Sequence, residues 1–249
     1  MAGVNRLSGR RLRRVLATAG CALLLAGISW LGTWYQHRSP PAAPVVAGSA
    51  TQSDLAAAAL ATLAVKGRAP MTGYDRTQFG GDWADIGGCS MRDVILSRDL
   101  TDVRTRSATD CTVLSGTLAD PYTGKSIRFT RGVGTSAAVQ IDHVVAIGDA
   151  WQTGAQQLPR AAREQLYNDP LELLAVDGPT NEQKGDGDAA TWLPPNKAYR
   201  CRYIARQIAI KVKYHLWVTA AEHTAMAQIL GSCPDQLLPA TSSPSTAGT

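Results

Sequence analysis

The pattern of apolar and polar residues changes character several times along this chain, and each change predicts a different element. Residues 15–35, "VLATAGCALLLAGISWLGTWY", form an uncharged, mostly apolar run long enough to cross a bilayer as a helix. Residues 36–53, "QHRSPPAAPVVAGSATQS", turn to Pro, Ala and Ser and read as a flexible linker. "DLAAAALATLAV" then predicts a helix capped by Asp54, and "SMRDVILSRDL" from Ser90 a second one with Met91, Val94 and Ile95 on one side. "CTVLSGTLADPYTGKSIRFTR" holds two alternating runs around the turn-forming "DPYTGK", the pattern of a β-hairpin. After "VQIDHVV" come a helix through Ala150 and Trp151, another around "PRAAREQLY", a short strand "PLELLAV", and a helix start at "NEQK" closed by Gly185. A last long helix is expected from about residue 198 to 216. It places Cys201, Ile204, Ala205, Ile208 and Val212 on one face and Arg202, Arg206 and Lys213 on another. From about Pro239 the tail "PATSSPSTAGT" is too polar and small to pack. The elements together predict a mixed α+β domain over residues 54–238, followed by an unstructured tail over 239–249.

One stretch breaks its own pattern. "VQIDHVVAIGDAW" is apolar and strand-like, yet it carries Asp142 and His143 side by side. Alternation sends neighbouring strand residues to opposite faces. One of the two polar groups must therefore be buried, unless the strand ends or lines a cleft at that point.

Charge alters the picture at the N-terminus. Arg6, Arg10, Arg11, Arg13 and Arg14 precede the apolar run, so residues 1–35 read as a signal peptide or signal anchor with its basic end in the cytoplasm. The domain is then expected to be secreted, or held at the cell membrane with its bulk outside. The formal charge of +5 does not describe that domain: residues 1–40 hold six arginines and no acid, which leaves 19 basic against 20 acidic residues, net −1. A polyanion site would have to come from local clustering, and the one candidate is Lys197, Arg200, Arg202, Arg206, Lys211 and Lys213. Cys21 lies in the apolar run, leaving Cys89, Cys111, Cys201 and Cys233 outside. Four cysteines in an exported chain suggest two disulfides. Of the three pairings, the sequence-local one, Cys89 with Cys111 and Cys201 with Cys233, is favoured. A zinc site of Cys201, His215, His223 and Cys233 is the competing arrangement, and its spacing matches no zinc-binding pattern.

The chemistry concentrates on few residues. Only four histidines exist, His37, His143, His215 and His223, and His143 is the first candidate for a general base. Asp142 beside it suits a hard divalent cation, and Asn181 in "TNEQKGD" could add a neutral oxygen. The order of strand with "DH", connection, strand "PLELLAV" and "N-x-x-K-G-D" helix start resembles the ββα-metal core of HNH endonucleases. The wider set "CSMRDVILSRDL", "GTLADPYTGK", "IDHVVAIGDAW", "NEQKGD", "WLPPN" and "CRYIARQIAIKVKYHL" is similar to exported actinobacterial proteins related to the C-terminal nuclease domain of GmrSD restriction enzymes.

That resemblance implies a ββα-metal core with surrounding helices, the hairpin and the disulfides, and a metal-dependent endonuclease acting on DNA and, as a second class, RNA. It makes His143 the base that deprotonates water and Asp142 and Asn181 the ligands of Mg²⁺ or Mn²⁺. Asn in the third position, where the name has His, favours such hard cations over zinc. Lys184 would contact phosphate. The middle Asn of the pattern stands just before the second strand and orients the base through its backbone. Pro170 occupies the nearest place here, so the role passes to Asn168, two positions earlier. Arg92 as a phosphate clamp, and Lys197, Arg202 and Arg206 as a basic face, complete the expected nucleic-acid contacts. No protein partner is evident. The rival classes are a degenerate HNH fold that binds nucleic acid or a protein without cutting, and a cell-envelope hydrolase of another chemistry, for which no G-x-S-x-G nucleophile element is present.

Overall fold

Why each segment folds as it does can be followed in the structure, a computed structural model that describes residues 54–240. The readings of residues 1–53 as leader and linker, and of 241–249 as tail, fall outside the described residues. In chain order the helices and strands are α1 (Ala56–Leu60), β1 (Asp85–Ile86), β2 (Cys89–Ser90), α2 (Met91–Asp99), β3 (Leu100–Ser107), β4 (Asp110–Ala119), β5 (Ser126–Thr130), β6 (Val139–His143), α3 (Ile147–Gln152), α4 (Arg160–Tyr167), β7 (Leu173–Asp177), α5 (Gly178–Lys184), α6 (Arg200–Lys213) and α7 (Ala220–Gly231). The strands form small antiparallel sheets, β1 with β2, β3-β4-β5, and β6 with β7. This is the expected α+β class, with a β6-β7-α5 unit in the expected place.

The centre of the design is the β6-β7 ribbon, which lies between two apolar cores. In register, Ile141 pairs with Ala175, Asp142 with Leu174 and His143 with Leu173. Val139, Ile141, Leu173 and Ala175 face one core with α2 and the three-stranded sheet, while Leu174 and Val176 face the other with α3, α4, α6 and α7. A ribbon covered on both faces reads as a nearly continuous apolar run, as "PLELLAV" does. For the same reason Asp142 and His143, on opposite faces, are both buried, each 5% exposed.

Several expected elements are present and some differ. Ser90 caps α2 by accepting from Asp93 N, and Asp177 caps α5 by accepting from Thr180 N. The cap of α1 is Leu55, not Asp54, and the helix is much shorter than its alanine run suggests. It stops because the following segment pairs with residue 218, Lys66 N donating to Val218 O and Val218 N to Ala64 O. Strand β3 was not foreseen: it is an exposed edge with register shifts against β4, so no apolar alternation marks it. Helix α7 was not foreseen either, although its capping box, Thr219 with Glu222, is written in the sequence as "TAAE". On α6, Ile204, Ala205 and Ile208 are buried as expected, whereas Val212 near its end is exposed.

Both expected disulfides are formed, Cys89–Cys111 and Cys201–Cys233, so Cys201 and Cys233 are not zinc ligands. They close separations of 22 and 32 residues, each worth about 3–4 kcal/mol by loop-closure entropy. The first pins the entry of α2 to β4 and the second joins α6 to the end of α7. Among the described residues no helix is long and apolar enough to cross a membrane.

Candidate functional site

A cleft of about 280 Å³ opens along the ribbon and α5, lined by Arg76, Gln140, Asp142, His143, Asn181 and Asp186 among others. The sequence brings these groups together through three local devices. The strand ends at His143, so its last side chains reach the cleft mouth. Gly178 starts α5 where an added Cβ would lie 1.9 Å from Ala137 O, so only glycine lets the helix dock this closely. Gly148 in α3 likewise leaves room for the Asp186 carboxylate, which accepts from Gly148 N at 3.3 Å.

His143 is held on three sides. Its Nε2 lies 2.9 Å from Tyr167 O, Trp83 stacks on the ring at 5.7 Å with planes 6° apart, and Tyr167 packs at 4.4 Å. A carbonyl oxygen only accepts, so Nε2 carries the proton in the neutral ring and Nδ1 keeps its lone pair. Nδ1 faces Arg76, whose Nη2 is 3.4 Å away. Burial, then the Arg76 charge and more weakly Lys184, lower the His143 pKa to about 3, against the opposing effect of the Tyr167 carbonyl.

Asp142 turns to the other face. Its Oδ1 accepts from Lys184 Nζ at 2.8 Å, and its Oδ2 from the Tyr122 hydroxyl. Lys184 also donates to His143 O at 2.7 Å. Its side chain is fully buried in these two contacts, turned inward and not toward the cleft where phosphate is expected. Tyr122 arrives from the β4–β5 turn, "DPYTGK". That turn is tied by Asp120, which accepts from Tyr122 N, Thr123 N and Asp177 N, and by Asn196 of "WLPPN", which donates to Pro121 O.

Asn181 is oriented by a chain of amides. Gln140 Nε2 donates to Glu182 Oε1 at 2.8 Å, and Asn181 Nδ2 donates to Gln140 Oε1 at 2.9 Å. Because a carboxylate only accepts, Glu182 fixes which end of Gln140 faces it, and Gln140 fixes Asn181 in turn. Among the described residues no donor reaches the Asn181 Oδ1 atom. Asn181 and Asp142 line the same cleft, and a neutral amide oxygen beside a carboxylate is the donor chemistry that a hard cation takes. Lys184 already neutralises Asp142, so the pull on a cation is weaker than that of an unpaired carboxylate.

The remaining expected residues lie elsewhere. The Asn168 side chain accepts from Ala84 N at 2.8 Å and lines a separate cleft of about 700 Å³; the backbone that orients His143 belongs to Tyr167, one residue earlier. Asn168 thus fixes the loop that carries Trp83. Arg92 donates to Val139 O at 3.2 Å and anchors the start of β6, outside the cleft. Arg206 donates to the carbonyls of Pro170, Leu171 and Leu173, and with Arg202 lines a different cavity; Lys197 is exposed. Arg206 is therefore a backbone anchor for the approach to β7, not a free phosphate contact.

Residues not singled out from sequence include Arg76, Trp83, Tyr122, Tyr167 and Glu172. Glu172, just before β7, is fully buried and accepts from Val145 N with both oxygens, which ties the loop behind His143; burial pushes its pKa well above the usual carboxylate value. Its acidic letter inside "PLELLAV" was the available signal.

Among the described residues, Asp149, Asp188 and Glu222 form a further acidic group, with ligand atoms within 4.8 Å of one another. Lys211, fully buried, lies 3.1 Å from Asp149 and 2.9 Å from Glu222, and Arg68 reaches Asp188 at 2.7 Å. These cations already compensate the cluster, which reads as a structural charge network beneath α6.

The family described as GmrSD restriction endonucleases, C-terminal domain, matches residues 90–229. The chain belongs to this family. A protein of Arthroderma benhamiae described as "Uncharacterized secreted protein" is 33% identical over 196 residues, covering 78% of this chain and 90% of that relative. No solved structure was found to match. The family span includes β6, β7 and α5 whole, so every cleft residue except Arg76 belongs to the region matched by the family.

Proposed function

We propose that the protein is an exported endonuclease hydrolysing phosphodiester bonds of DNA, with RNA as a second substrate class. His143 is its general base, and a divalent cation, Mg²⁺ or Mn²⁺, is held by Asn181 and Asp142. The observation that supports this most is the His143 ring, whose Nε2 proton is engaged by Tyr167 O, leaving the Nδ1 lone pair in a cleft shared with the Asn181 oxygen. A bound cation would polarise the phosphoryl group and stabilise the leaving oxygen.

The chain's own residues supply the rest. Tyr167 O and Trp83 fix the imidazole plane. Water gives its proton to Nδ1 as its oxygen bonds to phosphorus, and the bond from phosphorus to the 3′-oxygen breaks. The departing 3′-oxygen takes a proton from solvent, and His143 releases its own to complete the cycle. Export is supported by the arginine-led apolar N-terminus and by the secreted description of the relative.

The test is plasmid nicking by the oxidised protein with Mg²⁺, Mn²⁺ or EDTA. Wild type should cut only with cation, and His143→Ala should lose on the order of a hundredfold or more, within the usual range for a general base. Undiminished cleavage by His143→Ala sinks the assignment. A second reading, binding without cutting, is favoured by Lys184 neutralising Asp142. Gel-shift binding with no cation-dependent cleavage would select it.

A further inference from the structure

Arg76 occupies a position that its packing alone does not explain. It begins the short 3-10 turn Arg76–Phe79, capped by Asp75, and its guanidinium lines the cleft with Asp142, His143 and Asn181. Its Nε lies 3.3 Å from the Tyr167 hydroxyl and its Cζ 5.4 Å from the Tyr167 ring centroid, so the head group is held by a hydrogen bond and a cation–π contact. Among the described residues no carboxylate forms an ion pair with it. What it does meet is His143 Nδ1, at 3.4 Å from Nη2. Since Nδ1 carries the lone pair, the guanidinium is the donor and the imidazole the acceptor. The contact is long, and it covers the one nitrogen that must accept a proton.

A guanidinium with no anion, placed beside a base and fixed by an aromatic ring, has the chemistry of a phosphodiester site: a planar fork of donors matches two phosphate oxygens, and binding them removes an uncompensated charge. We propose that Arg76 binds the non-bridging oxygens of the scissile phosphate and leaves Nδ1 as it does so. The base is then uncovered only when a phosphodiester is in place. Without substrate, Arg76 caps His143. With substrate, the stronger charged partner draws the fork away, and Nδ1 opens to the attacking water. The proposal rests on the endonuclease reading and names the residue that couples substrate binding to the base.

The experiment uses the full-length oxidised protein, a fluorescein-labelled DNA duplex and saturating Mg²⁺. Cleavage is measured for wild type, Arg76→Ala and Arg76→Lys, and duplex binding by anisotropy in His143→Ala with and without Arg76→Ala. Circular dichroism checks that each variant is folded. Loss of a charge-assisted phosphate contact should weaken binding by about tenfold or more and lower kcat/KM on the order of a hundredfold. Arg76→Lys should recover only part of this, because it keeps the charge and loses the fork. Added methylguanidine should restore cleavage to Arg76→Ala, a rescue that a purely structural role would not show. If wild type cuts and His143→Ala does not, yet Arg76→Ala matches wild type or cannot be rescued, the Arg76 proposal fails alone. If wild type cuts with no cation tested, the endonuclease reading fails and takes this proposal with it.

Discussion

An imidazole that is 5% exposed and faces a guanidinium holds a proton poorly, and this decides how the site should respond to acid. With its pKa lowered to about 3, mainly by burial, His143 stays neutral through the range in which a free histidine charges. Catalysis should then show no acid limb near pH 6.5. Initial cleavage rates at saturating cation are expected to stay flat from about pH 7.5 to 5.5, where an unperturbed histidine base would lose about tenfold. Stability moves the other way. Below pH 6.5 the unfolded chain takes up a proton that the folded ring refuses, so folding stability falls as pH drops from about 6.5 toward 3. A rate profile with a midpoint near 6.5 would contradict the burial of the ring. Asp142 is the counterpart on the opposite strand face, and its two partners answer the puzzle raised by "IDH". Neither polar group is exposed, because each face of the ribbon supplies its own satisfying partners, Lys184 and Tyr122 on one side and Tyr167 O on the other.

At the scale of elements, the hairpin turn is a working part of the site. Tyr122 is fully buried, contacts Trp192 and Tyr203 with its ring, and donates its hydroxyl to Asp142. Tyr122→Phe keeps the ring and removes a hydrogen bond to a charged acceptor, a loss of about 1.5–3 kcal/mol. The urea midpoint should fall accordingly with an unchanged m-value, and an unchanged midpoint would show that the turn does not support Asp142. The sequence made the hairpin, β6, β7 and α5 legible because their apolar periods and turn residues agree with the final packing. His143, Asp142 and Asn181, singled out by residue type, are brought together along one cleft. Arg76, Trp83 and Tyr122 were hidden for the opposite reason. They lie 67, 60 and 20 or so residues before the "DH" pair, and no local spacing relates them to it until the chain is folded. "NEQKGD" does not say which way its lysine points, and the structure turns Lys184 inward to Asp142.

At the scale of the whole molecule, several cationic residues among the described ones are committed to the fold, which bears on how nucleic acid would be held. Lys211 is enclosed by Asp149 and Glu222, Lys213 pairs with Asp169 at 2.6 Å, Arg206 is spent on backbone carbonyls and Arg131 on Asp93. Of the expected basic face on α6 and the turn before it, Lys197 and Arg202 stay exposed, and Arg202 lies over the Tyr199 ring at 5.2 Å. The domain beyond residue 40 is net −1, so long-range attraction to a polyanion is weak. Binding should therefore depend on a few contacts at the cleft and not on a broad basic surface. For a DNA duplex held by about two phosphate contacts, log Kobs is expected to fall against log[salt] with a slope near −2. Arg76→Ala should make that slope shallower by about one, while Lys197→Ala and Arg202→Ala leave it unchanged. Anisotropy titrations of the His143→Ala protein between 50 and 200 mM salt, roughly the range in which counterion release is read, would measure it. A slope steeper than about −5 would require an extended phosphate track, and would return the α6 face to the binding surface that its sequence suggests.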